Sequence, residues 1–118
     1  MLENLKKLEK YINSELSSKI HNSVINNEEL LIEVGENDLT EVVQFIKSNE
    51  KLKFRQLIDI AGVDYPEEEK RFNLIYLFLS HENNSRLKLL VKFETSQTIN
   101  SITKIFPSAN WMEREVFD

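Results

Sequence analysis

Cysteine is absent, which removes disulfides, thiolate zinc sites, cysteine nucleophiles and cysteine-ligated iron–sulfur clusters from the chemistry open to this chain. The absence fits a reducing compartment. Glycine and proline are scarce, two of each. With Gly35 and Gly62 as the only glycines, no Gly-rich phosphate loop and no G-x-S-x-G nucleophile turn can be built. A chain so poor in breakers, yet 41% apolar, reads as a run of regular elements rather than disorder. No apolar run approaches the roughly 18–20 residues a membrane helix needs. The opening "MLENLKKLEK" lacks the apolar centre of a secretion signal. A formal net charge of −5 has the wrong sign for binding by phosphate neutralisation, so no nucleic acid is expected. These absences together point to a soluble, cytosolic protein.

The 118 residues suit one domain, 1–118, with a modest core. Leu2, Leu5, Leu8, Ile12, Leu16 and Ile20 recur at helical spacing and predict an amphipathic helix over 2–20. In "NSVINNEELLIEV" the Asn26-Asn27 pair predicts a tight hairpin, because Asn tolerates positive φ. Asp38 and Glu41 have capping-box spacing ahead of a second helix whose stripe is Leu39, Val42, Val43 and Ile46. Three strand-like runs follow. "FRQLIDIA" (Phe54–Ala61) is expected to end in a turn at Gly62, and "FNLIYLFLS" (Phe72–Ser80) is apolar enough for a strand covered on both faces. "RLKLLVKF" alternates, with Arg86, Lys88 and Lys92 opposite its apolar side, and "HENNS" makes the hairpin loop before it. A short helix is expected around Thr98–Phe106, then a turn at Pro107-Ser108. A last helix should open with Asn110 and Glu113 as a capping pair. The expected class is α+β: helix–hairpin–helix–three strands–helix, with helices packed on a mixed, largely antiparallel sheet.

Chemistry is harder to find. His21 and His81 are far apart, without ligand-like spacing, and read as surface residues. Only carboxylates remain as candidates. Asp59 falls inside an apolar strand, where burial would demand a partner. It either faces solvent or a base such as Arg55 or Lys88, or helps fix the "AGVDYP" turn, or meets another subunit. A catalytic carboxylate set of Asp59, Asp64, Glu113 and Glu115 is the remaining alternative. Catalytic, cofactor-binding and metal residues are otherwise expected to be none.

Four blocks in order, "FRQLIDIAGVDYP", "RFNLIYLFLS", "NNSRLKLLVKF" and "FPSANWMEREVFD", carry a likeness to a known family. They resemble the thirty-kilodalton subunit (the C subunit) of respiratory complex I, the proton-pumping NADH:quinone oxidoreductase. The likeness runs from Phe54 to Asp118, while residues 1–53 match only in pattern. Met112 departs from the aromatic common there, a volume-conserving change. The family signature also continues beyond the position of Asp118 into a basic tail, so the resemblance implies the front part of a longer subunit. It implies a non-catalytic scaffold of the peripheral arm, on the cytoplasmic or matrix side of the membrane, without insertion. Its expected partner is the large quinone-site subunit (the D subunit), with FMN and iron–sulfur clusters in neighbouring subunits. Asp59, Asp64, Tyr65, Trp111, Glu113, Arg114, Glu115 and Phe117 become candidates for the turn, for fold closure or for contact with a neighbour. Apolar side chains left exposed near the C-terminus are expected too. A free-standing interaction domain of the same fold is the alternative reading.

Overall fold

The structure is a computed structural model that describes residues 2–26, 29–69, 72–82, 84–93 and 101–117. Among them lie three helices and five strands: α1 (Leu2–Glu15), β1 (Ile20–Asn26), β2 (Glu29–Val34), α2 (Leu39–Ser48), β3 (Gln56–Asp64), β4 (Phe72–Ser80), β5 (Ser85–Phe93) and α3 (Ala109–Phe117). The strands form one sheet in the order β1-β2-β5-β4-β3. Only β2–β5 is parallel; β1–β2, β5–β4 and β4–β3 are antiparallel. The expected α+β class and the mixed, largely antiparallel sheet are therefore what the fold shows.

One face of the sheet carries the core. Leu30 and Ile32 of β2, Leu87 and Leu89 of β5, and Tyr76 and Phe78 of β4 are buried there. Against them pack Leu5 and Ile12 of α1, and Leu39, Val42, Val43 and Ile46 of α2. Polar ties fix the helices' positions. The Asn49 amide donates to the Tyr11 hydroxyl at 2.9 Å, and Asn13 donates to Ser23 at 3.1 Å. Lys47 of α2 donates to the Ile105 carbonyl at 2.5 Å, and its ammonium lies 5.1 Å from the Phe106 ring centroid. Phe106 in turn meets Phe78, with ring centroids 5.3 Å apart.

Several boundaries differ from the sequence-based expectation. The first helix stops at Glu15, and Ile20 already belongs to β1. Leucine-like residues at helical spacing extend beyond the helix because Leu16 stays buried in the turn after it. Asp38 precedes α2 as expected, but its side chain makes no capping bond, and Glu41 pairs with Lys19 at 2.7 Å instead. β3 does not turn at Gly62 but runs on to Asp64, bulging between Leu57 and Asp59. The loop before β5 is as short as expected, and Asn84 supplies its positive φ of 48°. Residues 94–100, which include the start of the expected Thr98–Phe106 helix, lie outside the described residues. Over 101–106 the chain forms a turn, closed by Ile105 and Phe106 N–H groups donating to the Ile102 carbonyl. β1 ends at Asn26 and pairs antiparallel with β2 from Glu29, while residues 27–28, on which the expected Asn26-Asn27 turn falls, lie outside the described residues.

The largest departure concerns β4. Its apolar run does not place it between two covering layers. Leu74, Tyr76 and Phe78 are buried, whereas Ile75, Leu77 and Leu79 on the other face are only half-buried, with no described element over them.

Candidate functional site

The candidate residues concentrate on α3 and the strand beneath it. Pro107 cannot continue a preceding helix, and the Ala109 and Asn110 N–H groups donate back to the Phe106 and Pro107 carbonyls. Helical spacing then divides α3 into two sides. Ala109 is buried and Met112, Glu113 and Val116 are half-buried, while Trp111, Arg114 and Glu115 are exposed. The inward side rests on β3 at Gly62. A Cβ there would stand 3.0 Å from Val116 Cγ1, so the missing side chain lets the helix come down on bare backbone.

Glu113 does not cap its own helix with Asn110, as its spacing suggested. Asn110 already lies within α3, and the Glu113 carboxylate reaches across to the 101–103 segment. It accepts from Ser101 Oγ at 2.6 Å, from the Ile102 N–H at 3.0 Å and, more weakly, from Thr103 Oγ1 at 3.4 Å. Charged acceptors make the stronger hydrogen bonds, so this carboxylate clamps the last helix to the turn before it. Beneath it sits Tyr76. Burial first, and the Glu113 charge second, push the Tyr76 phenol far above the ordinary tyrosine value of 10.0. Tyr76 is thus a neutral core residue.

Trp111 is 69% exposed, the most exposed large apolar side chain among the described residues. An exposed apolar side chain near the C-terminus was expected, and this is where it falls. Arg114 and Glu115 share its side of the helix and make no ion pair among the described residues. Phe117 closes α3, but its side chain lies outside the described set, as does Asp118. Asp64 ends β3, and the Tyr65 carbonyl accepts from the Glu68 N–H to form the following turn, leaving the Tyr65 ring 44% exposed.

The four carboxylates do not form one centre. Asp59 is exposed on the sheet face away from α3, opposite Leu77, and among the described residues accepts only the N–H of its neighbour Ile60 at 2.9 Å. Its proposed bases are engaged elsewhere, Arg55 with Glu82 at 3.0 Å and Lys88 with Glu29 at 2.6 Å. Glu113 is committed to its clamp. Asp64 and Glu115 do line one open cleft, of about 720 Å³, together with Gly62, Val63 and Phe72. Among the described residues no three His, Asp or Glu side chains converge as a metal site would require. Both histidines are exposed; His81 Nε2 lies 2.6 Å from Gln56 Oε1, and His21 Nδ1 lies 3.8 Å from Glu33. No helix among the described residues is long and apolar enough to cross a membrane.

Sequence reasoning missed Ser101, Ile102 and Thr103 as partners of Glu113. The signal was the "SIT" triplet, two hydroxyls flanking the N–H that the carboxylate takes.

The chain belongs to the family described as the respiratory-chain NADH dehydrogenase 30-kilodalton subunit, whose pattern matches residues 32–118. It is 37% identical over its whole length to the C subunit of the NADH-quinone oxidoreductase of Chelativorans sp. (strain BNC1), covering 59% of that protein. To the same subunit of Ruegeria pomeroyi it is 46% identical over 90 residues, 76% of this chain and 45% of the relative. The chain thus matches about half the length of these relatives. Among solved structures, a chain of the membrane-bound sulfane sulfur reductase, an archaeal respiratory membrane complex, shares the fold. Its TM-score is 0.77 at 18% identity, over 93% of this chain and 64% of that one.

Proposed function

We propose that this protein is a non-catalytic scaffold subunit in the peripheral arm of a proton-pumping NADH:quinone oxidoreductase. It stands on the cytoplasmic or matrix side, against the large quinone-site subunit, without entering the bilayer. Electrons pass from NADH to quinone through FMN and iron–sulfur clusters held by neighbouring subunits. The chain's own part is to hold those neighbours in place. A chain without cysteine offers no thiolate for such clusters.

The observation that carries the reading, beside family membership, is Trp111. A tryptophan 69% exposed on a helix that Glu113 and Val116 hold rigidly in place is a preorganised anchor. Trp and Arg are the residue types that dominate interface energetics, and Arg114 stands beside it. The expectation that Arg114, Glu115 and Trp111 meet a neighbouring subunit therefore becomes part of the proposal, while Glu113 takes the fold-closing role.

The test is an affinity purification of the tagged full-length gene product from a mild-detergent membrane extract. The expected eluate contains the large quinone-site subunit and reduces quinone with NADH. An eluate with this chain alone and no such activity overturns the reading and favours a free-standing interaction domain.

A further inference from the structure

The face of the sheet turned away from the helices joins an apolar strip to a set of cations. Cross-strand register places its side chains in rows. Leu31, Lys88, Leu77 and Asp59 run across β2, β5, β4 and β3, and Glu33, Leu90, Ile75 and Ala61 form the next row. The β4 side is apolar: Ile75, Leu77 and Leu79 are half-buried, and Ala61 and Val63 beside them are exposed. β5 brings three cations to this face, Arg86, Lys88 and Lys92, with the half-buried Leu90 between the two lysines. Glu29 and Glu33 of β2 already hold two of these, at 2.6 Å to Lys88 and 3.7 Å to Lys92. Arg86 is exposed with no ion pair among the described residues. On the far rim Asp59 carries a single negative charge.

We infer that this face binds an amphipathic helix of a partner protein in the assembly, laid along β4 with its apolar stripe on Ile75, Leu77 and Leu79 and an acidic flank over Arg86. The inference rests on the scaffold reading above. Three alternate residues of a strand span about 13 Å, the length of roughly nine helical residues, so two to three turns match the strip. Charge selects the flank, because an acidic side chain above β5 meets the unmatched guanidinium. A second copy of this chain fits less well. Its acids on this face, Glu29 and Glu33, are already held by lysines, it presents the same cations, and it carries the same net charge of −5. Since α3 lies on the helical side of the sheet, Trp111 and this strip engage different surfaces. The protein is then gripped from two sides.

No cysteine occurs in these 118 residues, so an introduced thiol is the only one in this stretch, and its labelling is read on the peptide that contains it. Leu77→Cys places one thiol on the strip, and Glu67→Cys places one in the exposed loop after β3 as a reference. Maleimide labelling of each is timed in the isolated chain and in the complex purified through the full-length subunit. Leu77→Cys should label at least about tenfold more slowly in the complex, as burial in a packed interface core requires, while Glu67→Cys keeps its rate. Arg86→Glu, an exposed change that leaves the fold alone, should lower recovery of partner proteins, most of all at low salt. Equal labelling of Leu77→Cys in free and assembled protein overturns the inference and leaves the scaffold reading standing. Protection that appears in the isolated chain as its concentration rises overturns it in favour of a second copy. Failure of the native sequence to bring down any partner defeats the scaffold reading and this inference together.

Discussion

The two faces of one strand, β4, carry almost the same chemistry and meet opposite fates. Tyr76 and Phe78 are 1% and 0% exposed under the helical layer, while Ile75, Leu77 and Leu79 between and beside them remain half-buried. Apolar character therefore does not decide which face becomes core. The difference lies in what the neighbouring strands place alongside. On the covered face β5 adds Leu87, Leu89, Val91 and Phe93, and helices have apolar stripes to match. On the other face β5 adds Arg86, Lys88 and Lys92 around a single half-buried leucine, Leu90, and the three cations keep that side wet. One face is finished within the chain, and the other has apolar content without cover.

Truncating adjacent residues that point to opposite sides should separate the two faces most strongly. Phe78→Ala should destabilise the chain by about 3–5 kcal/mol, whereas Leu77→Ala should cost less than about 1.5 kcal/mol, both read by urea denaturation. Equal losses would mean that the open face is core after all. Next in size is the clamp that holds α3 on the covered side. Glu113→Ala leaves the Ile102 N–H without its acceptor and should cost about 1–3 kcal/mol, with Glu113→Gln restoring part of it.

Tyr76 sharpens the contrast through pH. Its ionisation is raised in the folded state, so folded and unfolded chains are both neutral at this group below the ordinary value of 10.0. Above that pH the unfolded phenol loses its proton while the folded one keeps it, and the equilibrium moves toward unfolding. Tyr76→Phe should therefore lose less stability than the native chain between pH 9.5 and about 11, measured as the shift in urea midpoint. Identical slopes would show that Tyr76 reaches solvent. The smallest effect belongs to the open face. Lys88→Ala removes a half-exposed pair with Glu29 and should change stability by no more than about 1 kcal/mol, and by less in high salt.

Much of this was legible in the sequence, and the limits have physical reasons. Periodicity located α2 and β5 well, because each has one apolar side and one polar side that a single pattern describes. β4 defeated the same reading, since a run apolar on both sides looks alike whether the second cover is present or not. The end of α1 was blurred by Leu16, buried in a turn yet in step with the helix. At the site, spacing found α3 and Glu113 but assigned the carboxylate a local partner, Asn110. Its actual partners, at Ser101–Thr103, are set by how the last helix lies on β3, and local sequence does not encode that. Asp59 shows the opposite case. Its first reading, a side chain facing solvent or a nearby base, holds on the solvent side, because β3 is an edge strand and its bulge turns Asp59 outward.

In the proposed role, the outward side of α3 grips a partner and does not support the fold. The most direct measurement compares Trp111→Ala with the native full-length protein for binding to the purified large quinone-site subunit, with denaturation midpoints taken in parallel. The expected result is an affinity at least about tenfold weaker, on the scale of an aromatic hot spot, at an unchanged midpoint. Unchanged affinity, or a loss that only follows a fall in stability, would contradict it.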